Sequence, residues 1–112
     1  MNATTLARAE VPPVPDLMLS LHCATADADV ITNALRTITD APIHLHDEAV
    51  LGRDFSDAAL GEKVTGQLRR TCIELLVEDT MIDDLIEAAR TCRRRLPVRW
   101  HAVPISAQGR LA

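Results

Sequence analysis

Apolar and polar positions alternate along four stretches of this chain and recur at helical spacing along two others. Leu17, Leu19, Leu21 and Cys23 alternate with Met18, Ser20 and His22, a period of two that predicts a strand. Val30, Ile31, Ala34, Leu35 and Ile38 then share one face of a helix, with Asp27 or Asp29 placed to cap it. Asp40, Ala41 and Pro42 end that helix, because the residue before a proline is pushed out of the helical region. Ile43 and Leu45 alternate with His44 and His46 in a second strand that reaches Val50.

The same order repeats more clearly after Gly66. Ile73, Leu75 and Val77 alternate with Cys72, Glu74 and Leu76 along a third strand. Thr80 and Asp83 have the spacing of a capping box, and Met81, Ile82, Leu85, Ile86, Ala89 and Cys92 form the buried stripe of a second helix. Pro97 marks its end, and Val98, Trp100 and Ala102 alternate with Arg99, His101 and Val103 in a last strand closed by Pro104. Between the halves, Gly52 to Gly66 reads as a long, partly helical excursion, a length that usually signals function or mobility.

Two strand–helix–strand units predict an α+β domain of β-α-β-β-α-β order, the ferredoxin-like arrangement. Its antiparallel sheet has the order 4-1-3-2, with both helices on one face. The chain's 112 residues suffice for one such domain, over residues 17–112, after an extended or disordered leader at 1–16 that holds the run Val11-Pro12-Pro13-Val14-Pro15. The sheet's other face carries Met18, Leu76, Val103 and Cys72 if the alternation holds. That predicts a second covered face, most simply in a symmetric homo-oligomer; the alternative is a monomer with scattered surface apolar groups.

Composition narrows the function. Aromatic residues are 2% of the chain, Phe55 and Trp100 alone, so the core must be aliphatic and base-stacking platforms for nucleic acid are missing. A formal net charge of −4 also argues against a nucleic-acid binder. No apolar run reaches membrane-span length, and the N-terminus lacks the apolar core of a secretory signal. Three cysteines without CxxC spacing then read as reduced thiols in a cytoplasmic protein. Lys63 is the only lysine among the twelve basic residues. Five of the arginines (Arg90, Arg93, Arg94, Arg95 and Arg99) crowd one short stretch, as an anion patch or, the simpler reading, as solvated positive charge at a helix C-terminus.

Candidate chemistry is sparse. On a strand, His44 and His46 face the same way and would converge on one divalent transition metal, with Asp47 or Glu48 adding oxygen. Two solvent-facing imidazoles on an edge strand are the commoner outcome of such a pair. His22 and His101 fall on neighbouring strands and would join the thiols in a soft-metal site, although strand cysteines are usually small buried hydrophobes. Glycines at 61 and 66 followed by Arg69 and Arg70 suit an anion, or simply allow a bend into the strand. Neither phosphate-binding glycine motif occurs, and no nucleophile–base pair stands out, so an enzyme is not expected.

The segment Leu60-Gly61-Glu62-Lys63-Val64-Thr65-Gly66, then Arg69-Arg70, Trp100, Pro104 and Gly109-Arg110, resembles a family of small uncharacterised bacterial proteins in the PII-like superfamily. The resemblance implies a homotrimer with ligand clefts between subunits, and a regulatory role exerted on a transporter, an enzyme or another partner through the loop between strands two and three, here Gly52 to Gly66. It implies a ligand site at Gly66, Arg69, Arg70, Gly109 and Arg110, and an association with heavy-metal efflux that would give His44 and His46 a use. Where signal-transducing PII proteins carry a glycine-rich nucleotide-binding turn before the last strand, this chain has Arg93-Arg94-Arg95-Leu96-Pro97, which argues against an adenine nucleotide. The competing expectation is a structural interaction domain with no small ligand.

Overall fold

In the computed structural model, residues 14–51 and 68–112 are described. Four strands and two helices run in the expected order: β1 (Leu17–Ala24), α1 (Ala28–Arg36), β2 (His44–Val50), β3 (Leu68–Val77), α2 (Ile82–Thr91) and β4 (Arg99–Pro104). The sheet is antiparallel with the order β2-β3-β1-β4, the predicted 4-1-3-2 read from its other edge. β3 extends past the predicted Cys72 to Leu68, so that Arg69 and Arg70 lie within the strand.

Register decides which alternate set is buried. Leu19, Leu21 and Cys23 of β1 stand opposite Leu75, Ile73 and Thr71 of β3, and all point to the helices. The core closes these aliphatic rows against Ala28, Ile31 and Leu35 of α1 and Leu85 and Ala89 of α2. Each fully buried Leu or Ile contributes about 1.5–3 kcal/mol, and these residues carry the domain. Among the described residues, no aromatic ring enters this core. Trp100 stays 45% exposed, and Phe55 lies outside the described residues.

The predicted helix caps do not form. Each helix is entered through one turn of 3-10 helix, at Thr25–Asp27 and at Asp79–Met81. Asp27 and Met81 therefore already have helical backbone angles, and neither makes a side-chain capping bond. A capping side chain reaches back to the first amides when its own residue is extended, and the 3-10 turn removes that geometry. Thr80 and Asp83 likewise form no capping box, because Thr80 lies inside the turn.

Asp27 instead ties the far end of the second unit to the first. It is only 2% exposed. Both its oxygens accept the Arg95 amide, at 2.9 and 3.0 Å, and Oδ2 also accepts the Leu96 amide at 3.0 Å. α2 has already stopped at Thr91, where Cys92 turns extended, five residues before Pro97. Arg94 holds that end by donating from Nε to the Ala89 carbonyl and from its guanidinium to the Leu96 carbonyl, both at 3.2 Å. The arginine-rich stretch thus begins as a helix C-terminal closure, the simpler of its two expected roles.

Candidate functional site on the open sheet face

The face turned away from the helices is polar at its centre. The register lines up His101, Ser20, Glu74 and His44 in one row across the four strands, and Arg99, His22, Cys72 and His46 in the next. Ala24, Arg70 and Glu48 follow at one end of the face, and Val103, Met18 and Leu76 make an apolar row at the other. All four histidines of the chain stand on this one face.

Contacts within it are close. Glu48 reaches from β2 across β3 to place Oε1 2.5 Å from His22 Nδ1. Glu74 accepts from Ser20 Oγ at 3.3 Å through Oε2, while its Oε1 lies 3.9 Å from His46 Nδ1. The His22 and His101 rings stack with centroids 5.5 Å apart. Cys72 sits beneath these groups at 2% exposure. Burial, then the Glu74 and Glu48 carboxylates, pushes its thiol up to about 11.

Among the described residues, two sets of ligand-capable groups result. His22, Glu48 and Cys72 bring their donor atoms within 4.8 Å of one another, and so do His46, Cys72 and Glu74. Each set combines imidazole nitrogen, carboxylate oxygen and thiol sulfur. That mixture suits Zn²⁺ and other borderline or soft transition metals better than Mg²⁺ or Ca²⁺, which take oxygen.

The expected residues distribute unevenly. His44 and His46 do share a face, but His46 meets Cys72 and Glu74, and His44 joins neither set. Of the two acids expected to assist them, Asp47 points to the helix side and accepts from Thr71 Oγ1 at 3.2 Å. Glu48 lies on the histidine face and engages His22. Cys23 does not join Cys72: it faces the helices, its thiol donates to the Thr71 carbonyl at 3.5 Å, and burial raises it too to about 11. Cys92 is on α2's side of the molecule and donates to the Ala89 carbonyl at 3.2 Å.

Gly66 lies outside the described residues, as does the loop at 52–66. Arg70 is buried on the open face opposite Glu48, while Arg69 points to the other face. The tail that carries Gly109 and Arg110 runs beside the start of β1, where Ile105 donates to the Asp16 carbonyl and Gln108 to that of Pro15. Ala24, paired with Arg70, is at the opposite end of that strand. Within one chain the two arginine groups are therefore separated by the length of β1, about 25 Å at 3.3 Å per residue.

Two solved structures share the fold, and a third is a weaker match. A crystal structure of a DUF3240 family protein from Shewanella baltica superposes with a TM-score of 0.70 at 17% identity, covering 89% of this chain and 100% of that one. A Bacillus cereus protein related to NIF3 gives 0.57 at 13% identity, over 89% of this chain and 28% of its own length. A Thermus thermophilus protein assigned as PII-like signalling gives 0.49 at 8% identity, over 82% of this chain and 90% of that one. No curated protein matches. Among the described residues, no helix is long and apolar enough to cross a membrane. Residues 14–112 match the model of the family described as a protein of unknown function, DUF3240, and the chain belongs to that family.

Proposed function

We propose that this protein is a non-enzymatic, PII-like regulator that responds to a transition-metal ion bound on its open sheet face. One observation carries the reading: imidazole, carboxylate and thiol donors from three strands converge around Cys72, within 4.8 Å in each of two sets. Burying a thiol between two carboxylates disfavours its anion, and a bound cation reverses that cost.

The sequence resemblance to PII-like proteins supplies the rest of the proposal. The chain assembles as a trimer in the cytoplasm and acts on a transporter of a heavy-metal efflux system. Free Cys23, Cys72 and Cys92 suit a reducing compartment. An adenine nucleotide is not part of the reading. The Arg95 and Leu96 amides, where PII proteins carry their phosphate-binding turn, are engaged by Asp27.

Thermal unfolding with Zn²⁺ or Cu²⁺, against a chelator control, tests the metal. A ligand at a hundred times its Kd adds about 2.7 kcal/mol of apparent stability. The wild-type chain is expected to shift upward, and Cys72→Ser to lose most of that shift. A wild type unmoved by metals refutes the sensor and favours the ligand-free interaction domain. Mass in solution tests the trimer separately, and a clean monomer at micromolar concentration refutes it.

A further inference from the structure

The two ligand sets share one atom, Cys72 Sγ, and nothing else. Their carboxylates reach it from opposite directions along β3. Glu48 comes from the position paired with Arg70, two residues before Cys72, and Glu74 lies two residues after it. Their imidazoles flank it across the sheet, His22 on β1 and His46 on β2, both paired directly with Cys72. The sets therefore occupy different sides of the sulfur.

We propose that they form one dinuclear site, in which the Cys72 thiolate bridges two thiophilic divalent ions, one held by His22 and Glu48 and the other by His46 and Glu74. This rests on the metal-binding reading above and adds its stoichiometry and architecture. A thiolate has lone pairs for two metal bonds, whereas one ion in either set leaves the opposite carboxylate facing the sulfur. Both carboxylates stand within 4.8 Å of the sulfur. Two divalent ions more than offset one thiolate and two carboxylates, leaving the loaded cluster one positive charge.

The loading step balances simply. Cys72 releases one proton to solvent as two metal–sulfur bonds form. The imidazoles bind as neutral ligands, and the ring proton that His22 shares with Glu48 moves to its other nitrogen. No oxidant or reductant takes part. Three protein donors per ion leave each an open coordination position, as in zinc sites that exchange ligands rather than purely structural ones.

Cd²⁺ is a suitable probe, because its thiolate bond absorbs in the ultraviolet where Cd–N and Cd–O bonds do not. The full chain would be titrated with Cd²⁺ while bound ions per chain and the thiolate band are followed together. Circular dichroism would confirm that each variant folds. The wild type is expected to take two ions per chain, the band growing through both. His22→Ala and His46→Ala should each keep one ion and part of the band, and Cys72→Ser should lose the band entirely. One ion per chain in the wild type, with each histidine variant still binding one, overturns the bridge in favour of alternative single sites and leaves the sensor reading standing. A band that saturates at the first of two ions also overturns the bridge. No Cd²⁺ bound at all overturns the sensor reading itself.

Discussion

Replacing Asp27 by Ala should destabilise the domain far more than any ordinary surface acid would. The carboxylate is buried and is the acceptor for two backbone amides from the connection between α2 and β4, through three contacts of 2.9–3.0 Å. A hydrogen bond to a charged group contributes about 1.5–3 kcal/mol net, and a donor left without a partner costs about 1–3 kcal/mol. The connection is partly open to water, and removing a buried carboxylate also relieves its desolvation. The expected net loss is therefore about 2–3 kcal/mol, at the lower end of the summed range. For a domain of this size that is roughly a 10–15 °C fall in Tm. Asp27→Asn keeps one acceptor oxygen and should lose about half as much.

Trp100, the only tryptophan, is the second residue of β4 and reports on the same connection. Urea unfolding at neutral pH followed by its fluorescence would give the midpoint and slope for each variant. Asp29→Ala is the control, since Asp29 is exposed in the first turn of α1 and its loss costs only the helix-dipole contribution, about 0.3–1 kcal/mol. An Asp27→Ala protein within about 0.5 kcal/mol of the wild type, on the order of the scatter expected for surface substitutions, would refute the tie.

Three further outcomes follow from the core. Thr32 Oγ1 is buried without a partner, so Thr32→Val should raise stability by about 0.5–1 kcal/mol in the same urea assay. Leu75→Ala removes a side chain packed from all sides and should cost about 2–5 kcal/mol, measured as a lower urea midpoint at an unchanged slope. The Cys23 thiol is raised from 9.0 to about 11, chiefly by burial and then by Asp27, so the folded state holds its proton longer than the unfolded one. That contribution is fully present below pH 9 and is lost as pH rises toward 11, by up to about 3 kcal/mol. Alkaline unfolding in chelator should show this fall, and Cys23→Ala should make it shallower.

The fold was legible in the sequence because its two periods are clean. Leu17 to Cys23 and Ile73 to Val77 keep a period of two, broken only by the apolar Met18 and Leu76, and the helix stripes at Ile31, Leu35, Leu85 and Ala89 are the residues that close the core. Helix starts were not legible, and the reason is local. A capping motif assumes an extended residue before the first turn, and here a 3-10 turn precedes both helices. The acid that looks like a cap is then free to act at long range. Nothing near Asp27 in sequence signals that its partners are Arg95 and Leu96.

The site was half legible for a related reason. Alternation assigns His44 and His46 to one face and the predicted sheet order sets the third strand beside them, but neither fixes the register. Alternation puts the sulfur at Cys72 on the same sheet face, but only the alignment of β2 with β3 brings it next to His46. Pairing then sets His46 opposite Cys72 and His44 opposite Glu74. The motif is thus carried by two short strand patterns together, His-Leu-His on β2 and Cys-Ile-Glu on β3, running antiparallel. A one-residue slip between them would send one pattern to the helix side and dissolve the cluster. Ile73 and Leu75 on the opposite face make that slip costly, since it would turn both into water. The aliphatic core that fixes the register therefore also fixes how these donor groups meet, and Leu75→Ala, a cavity on the helix side, should lower the Zn²⁺ affinity of the proposed site in a metal titration.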